Sequence, residues 1–156
     1  NNDLVNMTLK DFEGKRLVLN IFPTLNTPVC SAAAHKFNEL ASDMASTVVI
    51  CISRDLALSQ KQFCIANNLD NVLFLSDMRN HDFASDYGVL HTNGKFQGLL
   101  ARSVVRINSD GKIGYTQLLD QTGHEPDYED VINSRTWQLV RDNYGRLYTS
   151  DAADGS

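Results

Sequence analysis

The feature that most restricts this chain is an uncharged stretch of eighteen residues, Leu17 to Ala34. A run of that length invites a membrane-spanning reading. Asn20, Pro23, Asn26, Thr27, Pro28 and Ser31 interrupt it, and two prolines at its centre break any continuous apolar helix. The stretch divides instead. Leu17-Val18-Leu19-Asn20-Ile21-Phe22 is a short, mostly apolar run ended by Pro23, which predicts a buried strand. From Pro28 the period changes. Val29, Ala33, Phe37, Leu40, Ala41 and Met44 recur at three- and four-residue steps, the spacing of one helix face.

The same alternation continues. Thr47 to Ile52 predicts a second buried strand, and Leu58 to Ala66 a helix ended by Asn67-Asn68. Val72 to Leu75 reads as a third strand, and Asp82 to Tyr87 as a short helix stopped by Gly88. Ala101 to Ile107 and Lys112 to Leu119 are strands joined by the hairpin signal Ser109-Asp110-Gly111. A last helix is expected to open at Glu125-Pro126-Asp127, with Pro near its first position and acidic side chains at its positive end. The order βαβαβαββα predicts an α/β fold, with a partly parallel sheet covered by helices and an antiparallel edge. A thioredoxin-like sandwich, a mixed central sheet flanked by helices, fits that order.

With 156 residues and neither repeat nor linker, one domain is expected. Periodicity fades after Asn133, and Leu147 to Asp154 looks like a translated sequencing adapter. The expected division is a domain over residues 1–132 and a non-native or disordered tail over residues 133–156. The balance of 14 basic against 19 acidic residues, a net charge of −5, argues against nucleic acid or an anionic membrane as a main partner. No charged-then-apolar leader opens the chain, so a cytoplasmic location is expected.

Three cysteines are too few for a disulfide scaffold. Cys30, Cys51 and Cys64, with histidines at 35, 81, 91 and 124, lack the paired spacing of a structural zinc site. Cys30 stands out by position. Thr27 suits a helix N-cap and Pro28 the first helical position, which puts Cys30 at the third. Free backbone N–H groups and the helix dipole favour an anion there, and thiolate is the reactive form of cysteine. The strand-to-helix crossing just ahead of it is where an α/β sheet places its site. By position alone, a small apolar core residue explains Cys30 equally well. A Cys-x-x-Cys exchange motif is absent, because Thr27 and Ala33 occupy the flanking positions.

Phe22-Pro23-Thr24-Leu25-Asn26-Thr27-Pro28-Val29-Cys30 resembles the active-site signature of the peroxiredoxins, Pro-x-x-x-Thr-x-x-Cys. More narrowly, the chain resembles the bacterial thiol peroxidases, the atypical two-cysteine branch. That likeness continues through Cys51-Ile52-Ser53, Gln62-Phe63-Cys64, Gly98-Leu99-Leu100-Ala101-Arg102 and Glu125-Pro126-Asp127-Tyr128-Glu129, from about Val5 to Ile132. Relatives in that branch carry N-terminal strands that this chain lacks, so the expected domain is N-terminally truncated.

The resemblance implies a thiol-dependent peroxidase reducing hydrogen peroxide and alkyl hydroperoxides. Cys30 matches the peroxidatic cysteine, which becomes a sulfenic acid. Thr27 matches the threonine whose hydroxyl serves thiolate and peroxide, and Pro23 the proline that shields the pocket. Arg102 matches the arginine that stabilises thiolate and developing oxygen charge. The sequence itself does not separate Arg102 from Arg106, which share one side of a strand. Cys64 matches the resolving cysteine, which forms a disulfide with Cys30 for thioredoxin to reduce. A homodimer is also implied, and no metal or organic cofactor is. Cys51, mid-strand, reads as a buried inert thiol, and His35 with the other histidines as surface or interface residues. A disulfide needs Cα atoms within about 7 Å. Cys30 and Cys64 on two helices are therefore expected to stand unbonded when reduced and to require local unwinding. A non-catalytic peroxide-sensing redox switch and a thiol–disulfide oxidoreductase remain the alternative readings.

Overall fold

A computed structural model of the chain describes residues 5–44, 46–119 and 125–133. Among the described residues, five strands form one sheet: β1 (Arg16–Ile21), β2 (Thr47–Ser53), β3 (Leu73–Ser76), β4 (Ser103–Ile107) and β5 (Ile113–Leu118). Four described α-helices accompany them: α1 (Pro28–Ala41), α2 (Ala57–Asn67), α3 (Asp82–Tyr87) and α4 (Tyr128–Asn133). The sheet order is β3-β2-β1-β4-β5. β1 pairs parallel with β2 and β2 with β3, while β4 runs antiparallel to both β1 and β5. This is the mixed, helix-flanked sheet that the alternation of periods predicts.

The central strand is buried on both faces, and its alternation sorts the core. Leu17, Leu19 and Ile21 face a cluster with Ile50, Ile52, Val105 and Ile107, covered by Phe12, Ala84 and Val89. Val18 faces Phe37, Val49, Val104, Tyr115 and Val131 on the opposite side. Further along that side, Phe22, Leu25, Cys30, Ala34, Cys51 and Leu69 form a third cluster, with Phe63 and Cys64 packed against it. Each fully buried large apolar side chain contributes about 1.5–3 kcal/mol. The helices that carry Cys30 and Cys64 are thus seated on one continuous core.

Element ends show local chemistry. Asn68 caps α2 in the left-handed conformation (φ 54°), and Gly88 caps α3 likewise (φ 63°). Four details differ from the sequence reading. A 3-10 turn spans Leu9–Phe12. Helix α1 ends at Ala41, so Met44 reaches its core cluster from beyond the helix. Helix α4 begins at Tyr128, with Asp127 Oδ1 accepting from the Asp130 N–H at 3.1 Å, so the cap is Asp127 and Pro126 precedes it. Strand β4 begins at Ser103, and Arg102 stands just before it. The expected tail lies, beyond Asn133, outside the described residues. No described helix is long and apolar enough to cross a membrane.

Candidate active site

The site is assembled where β1 hands over to α1. Thr27, in extended conformation (φ −98°, ψ 140°), is the N-cap of α1, and its Oγ1 accepts from the Cys30 N–H at 3.4 Å. Pro28 follows at the first helical position, where no N–H is needed. Cys30 therefore lies in the first turn, as its spacing from Thr27 requires, and its side chain is only 1% exposed. Pro23 is buried in the preceding loop, and Asn26 is exposed.

Arg102 arrives from the start of β4, the strand paired directly with β1. Its Nη2 lies 3.5 Å from Cys30 Sγ, and the residue is buried. The Arg102 backbone is held by the Leu119 N–H, which donates to its carbonyl at 2.9 Å. Arg102 Nε and Nη1 are buried and have no partner among the described residues. A buried cation with unused donors beside a thiol suits an incoming oxygen that acquires negative charge.

The structure separates the two arginines that the sequence leaves equivalent. Arg106 donates through Nη1 to the Val131 carbonyl and through Nη2 to the Gly114 carbonyl, both at 3.1 Å. Arg16 Nη2 donates to the Ile132 carbonyl at 2.8 Å. Two guanidiniums thus hold C-terminal carbonyls of α4, a structural duty.

All three cysteines are free thiols. Cys51 is fully buried, accepts from Asn20 Nδ2 at 3.6 Å, and has its pKa pushed up to about 12 by burial. That suits the inert role read from its strand. Cys64 is half-buried, and burial and then the charge of Asp70 push it up to about 11. It lies in the last turn of α2, where the Leu69 N–H closes on the Cys64 carbonyl at 3.0 Å and the Asn68 N–H on the Ile65 carbonyl at 3.4 Å. This is a Schellman closure around a left-handed Asn68. Cys30 and Cys64 thus stand unbonded on separate helices over one core cluster.

His35 is exposed, with its ring 6.3 Å from that of Phe63. His81 is exposed too, and His124 lies outside the described residues. His91 corrects the surface reading given to the histidines. It is 6% exposed, and burial lowers its pKa.

Apart from Ser53, which belongs to the resemblance, the sequence reading does not single out Arg54, Asp55 and Gln60, which join the site to the end of β2. Asp55 accepts from Thr24 Oγ1 at 2.8 Å, from the Leu25 N–H at 3.0 Å and from Ser53 Oγ at 2.6 Å. Arg54 forms a bidentate ion pair with Asp77, 3.1 and 2.9 Å, and donates to the Gly98 carbonyl at 2.7 Å. The only sequence signal for them is a polar cluster just past the carboxyl end of a strand, where α/β sheets carry their sites.

The chain is similar to known proteins in sequence and in fold. The Redoxin family model matches residues 1–132. A thiol peroxidase of Corynebacterium glutamicum is 43% identical over 132 residues, covering 85% of this chain and 79% of the relative. A thiol peroxidase of Streptococcus agalactiae is 41% identical over the same shares. Among solved structures, a peroxiredoxin-like protein from Aquifex aeolicus superposes with a TM-score of 0.74 at 40% identity, over 78% of this chain and 70% of that one. A thiol peroxidase from Chromobacterium violaceum shares the fold, with a TM-score of 0.72 at 18% identity over 79% of this chain and 71% of that one. Fold, cysteine position and these likenesses converge: the chain belongs to the redoxin family, alongside the bacterial thiol peroxidases.

Proposed function

We propose that this chain is a thiol-dependent peroxidase acting on hydrogen peroxide and alkyl hydroperoxides through Cys30. The observation that carries the reading is the approach of Arg102 Nη2 to Cys30 Sγ, 3.5 Å, in the first turn of a helix capped by Thr27. The Cys30 thiolate attacks the terminal peroxide oxygen. The O–O bond breaks, the leaving oxygen departs with a proton as water or alcohol, and Cys30 is left as a sulfenic acid. Arg102 stabilises charge on the oxygens in that step, Thr27 offers its hydroxyl to sulfur or peroxide, and Pro23 keeps water out.

Cys64 then attacks the Cys30 sulfur. A disulfide forms, and the sulfenic oxygen leaves as water. A thioredoxin-type dithiol reduces the disulfide and is itself oxidised. The separate helices of the two thiols mean that this step draws the first turn of α1 and the last turn of α2 out of place. The resemblance to thiol peroxidases supports a homodimer and a cytoplasmic setting.

A peroxide-consumption assay coupled to thioredoxin tests the reading. Repeated turnover is expected, and Cys30→Ser is expected to abolish it. Cys64→Ser should lose thioredoxin-linked turnover while still consuming one equivalent of peroxide. An unchanged rate in Cys30→Ser would end the assignment. A single stoichiometric oxidation of the intact chain would favour a redox switch.

A further inference from the structure

The Asp55 carboxylate gathers three donors that come from two different segments. Thr24 Oγ1 and the Leu25 N–H belong to the loop that leads into α1, and Ser53 Oγ to the end of β2. Gln60 Nε2 donates to Ser53 Oγ at 2.9 Å and to the Leu75 carbonyl at 3.0 Å. The serine oxygen is thus already an acceptor, which directs its own proton to Asp55. The Asp55 backbone carbonyl is itself held by Ser76 Oγ. The carboxylate is therefore anchored to the sheet before it grips the loop.

The grip continues toward the thiol in a short chain of bonds. The Thr24 carbonyl accepts from the Thr27 N–H at 3.3 Å and from Thr27 Oγ1 at 3.2 Å. Thr27 Oγ1 accepts in turn from the Cys30 N–H, and the Thr27 carbonyl from the Ser31 N–H at 3.1 Å. Asp55 to Thr24, Thr24 to Thr27 and Thr27 to Cys30 is one connected path. An ionised carboxylate is acceptor-only and can satisfy all three of its donors at once, and charge-assisted bonds of this kind are the stronger ones. On the other side, Asp55 lies two residues ahead of α2, the helix that bears Cys64.

We infer that Asp55 is a positioning residue for the peroxide reaction, its carboxylate fixing the Thr24–Leu25 loop so that Thr27 and Cys30 are held against Arg102. The inference rests on the reading of Cys30 as the thiol that attacks peroxide. Displacement of a reacting group by about 1 Å can cost about a hundredfold in rate, even when its cause lies outside the chemistry. A released loop also uncovers Cys30. Peroxide reactivity and accessibility to a simple alkylating agent should then move in opposite directions.

The experiment compares native protein with Asp55→Ala and Asp55→Asn. Two quantities are measured: the second-order rate with hydrogen peroxide, and iodoacetamide labelling of Cys30 and Cys51 by peptide mapping. Asp55→Ala is expected to lower the peroxide rate about ten- to a hundredfold. It should raise Cys30 labelling severalfold and leave Cys51 unlabelled, as in the native protein. Asp55→Asn, which keeps one acceptor oxygen, should fall between. A rate within twofold of native in Asp55→Ala overturns the inference. So does a parallel rise in Cys51 labelling, which marks general loosening. If Asp55→Ala does not fold, Thr24→Val removes one of the three donors to Asp55, together with the acceptor of the Asn26 N–H, and no charge, and an unchanged rate there overturns the inference equally. A native protein that leaves peroxide intact sinks the proposed function and this inference together, and is recognised because it needs no substitution.

Discussion

The guanidinium of Arg102 stands 3.5 Å from the Cys30 sulfur, although 72 positions separate the two residues in the chain. The sheet brings them together. β1 leads into the Cys30 helix, and its last residue, Ile21, pairs with Ser103, the residue after Arg102. An antiparallel pairing lets the end of one strand meet the start of another. Asn20, Val104 and Arg106 then show which side of the sheet Arg102 faces, since alternate residues share a face.

Arg102→Gln is expected to lower the second-order rate with peroxide about a hundredfold, the scale on which loss of one transition-state donor is felt. Arg102→Lys should recover only part, because an ammonium is a point charge and cannot reproduce the planar fork. Arg106→Gln should leave the rate within about twofold but lower the Tm, since Arg106 holds carbonyls of Val131 and Gly114. Stopped-flow peroxide kinetics and thermal melts of the three variants check this. Equal kinetic losses at both arginines would contradict it.

Thr27 caps α1 and, in the proposed reaction, also offers its hydroxyl to sulfur or peroxide; comparing the loss of stability with the loss of rate separates the two. Thr27→Ser keeps the hydroxyl that caps Cys30 N and should retain most stability and activity. Thr27→Val keeps the shape but loses the cap. It is expected to cost about 1 kcal/mol in unfolding free energy and to slow peroxide reduction well beyond what that loss explains. Denaturant unfolding beside peroxide kinetics is the measurement.

In the proposed cycle, the pH profile of the resolving step reports on helix α2. With Cys64 pushed up to about 11 in the folded state, its thiolate fraction at pH 7 is about one in ten thousand. That fraction rises tenfold per pH unit below the pKa. If Cys64 attacks from within α2, the rate should climb steadily toward pH 11. If α2 first opens, the climb should level near the ordinary thiol range, about 8.5. The second profile is expected, followed by rapid mixing with one equivalent of peroxide.

Cys51 predicts an alkaline weakness. Burial holds its pKa at about 12 against an unperturbed 9.0, so its neutral form favours the fold. The stability this provides is fully present below pH 9 and is lost as pH rises toward 12. Thermal melts from pH 8 to 11 should show a falling Tm, and Cys51→Ala should flatten the fall. Cys64 and Tyr115, raised to about 11 and about 12, keep some slope in place. At neutral pH the same substitution leaves Asn20 Nδ2 without its sulfur acceptor and should cost about 1–3 kcal/mol.

Much of this fold is legible in the sequence because its signals are local. A change of period at Pro28, the Asn67-Asn68 pair and Gly88 mark helix starts and stops within a few residues of where they lie. Cys30 is legible for the same reason, since its cap is three residues away. The 3-10 turn at Leu9–Phe12 is too short to show a period. Asp55 stays hidden for another reason: its loop partners, Thr24 and Leu25, are 31 and 30 residues distant, and nothing beside it announces them. The choice between Arg102 and Arg106 likewise needed the strand's true starting point. Periodicity gives the side of a sheet but not the end of it.

The closure at the foot of α2 has a consequence for how the molecule is told apart in its two oxidation states. The Leu69 N–H bonds to the carbonyl of Cys64 itself, and Leu69 is 3% exposed. A disulfide that draws Cys64 out of its last turn also unseats this leucine. Oxidised and reduced molecules would then differ in outward shape as well as in covalent bonding. In the proposed cycle, a reductant that contacts Leu69 itself would meet that side chain on spent molecules and not on those ready for another cycle, where it is buried.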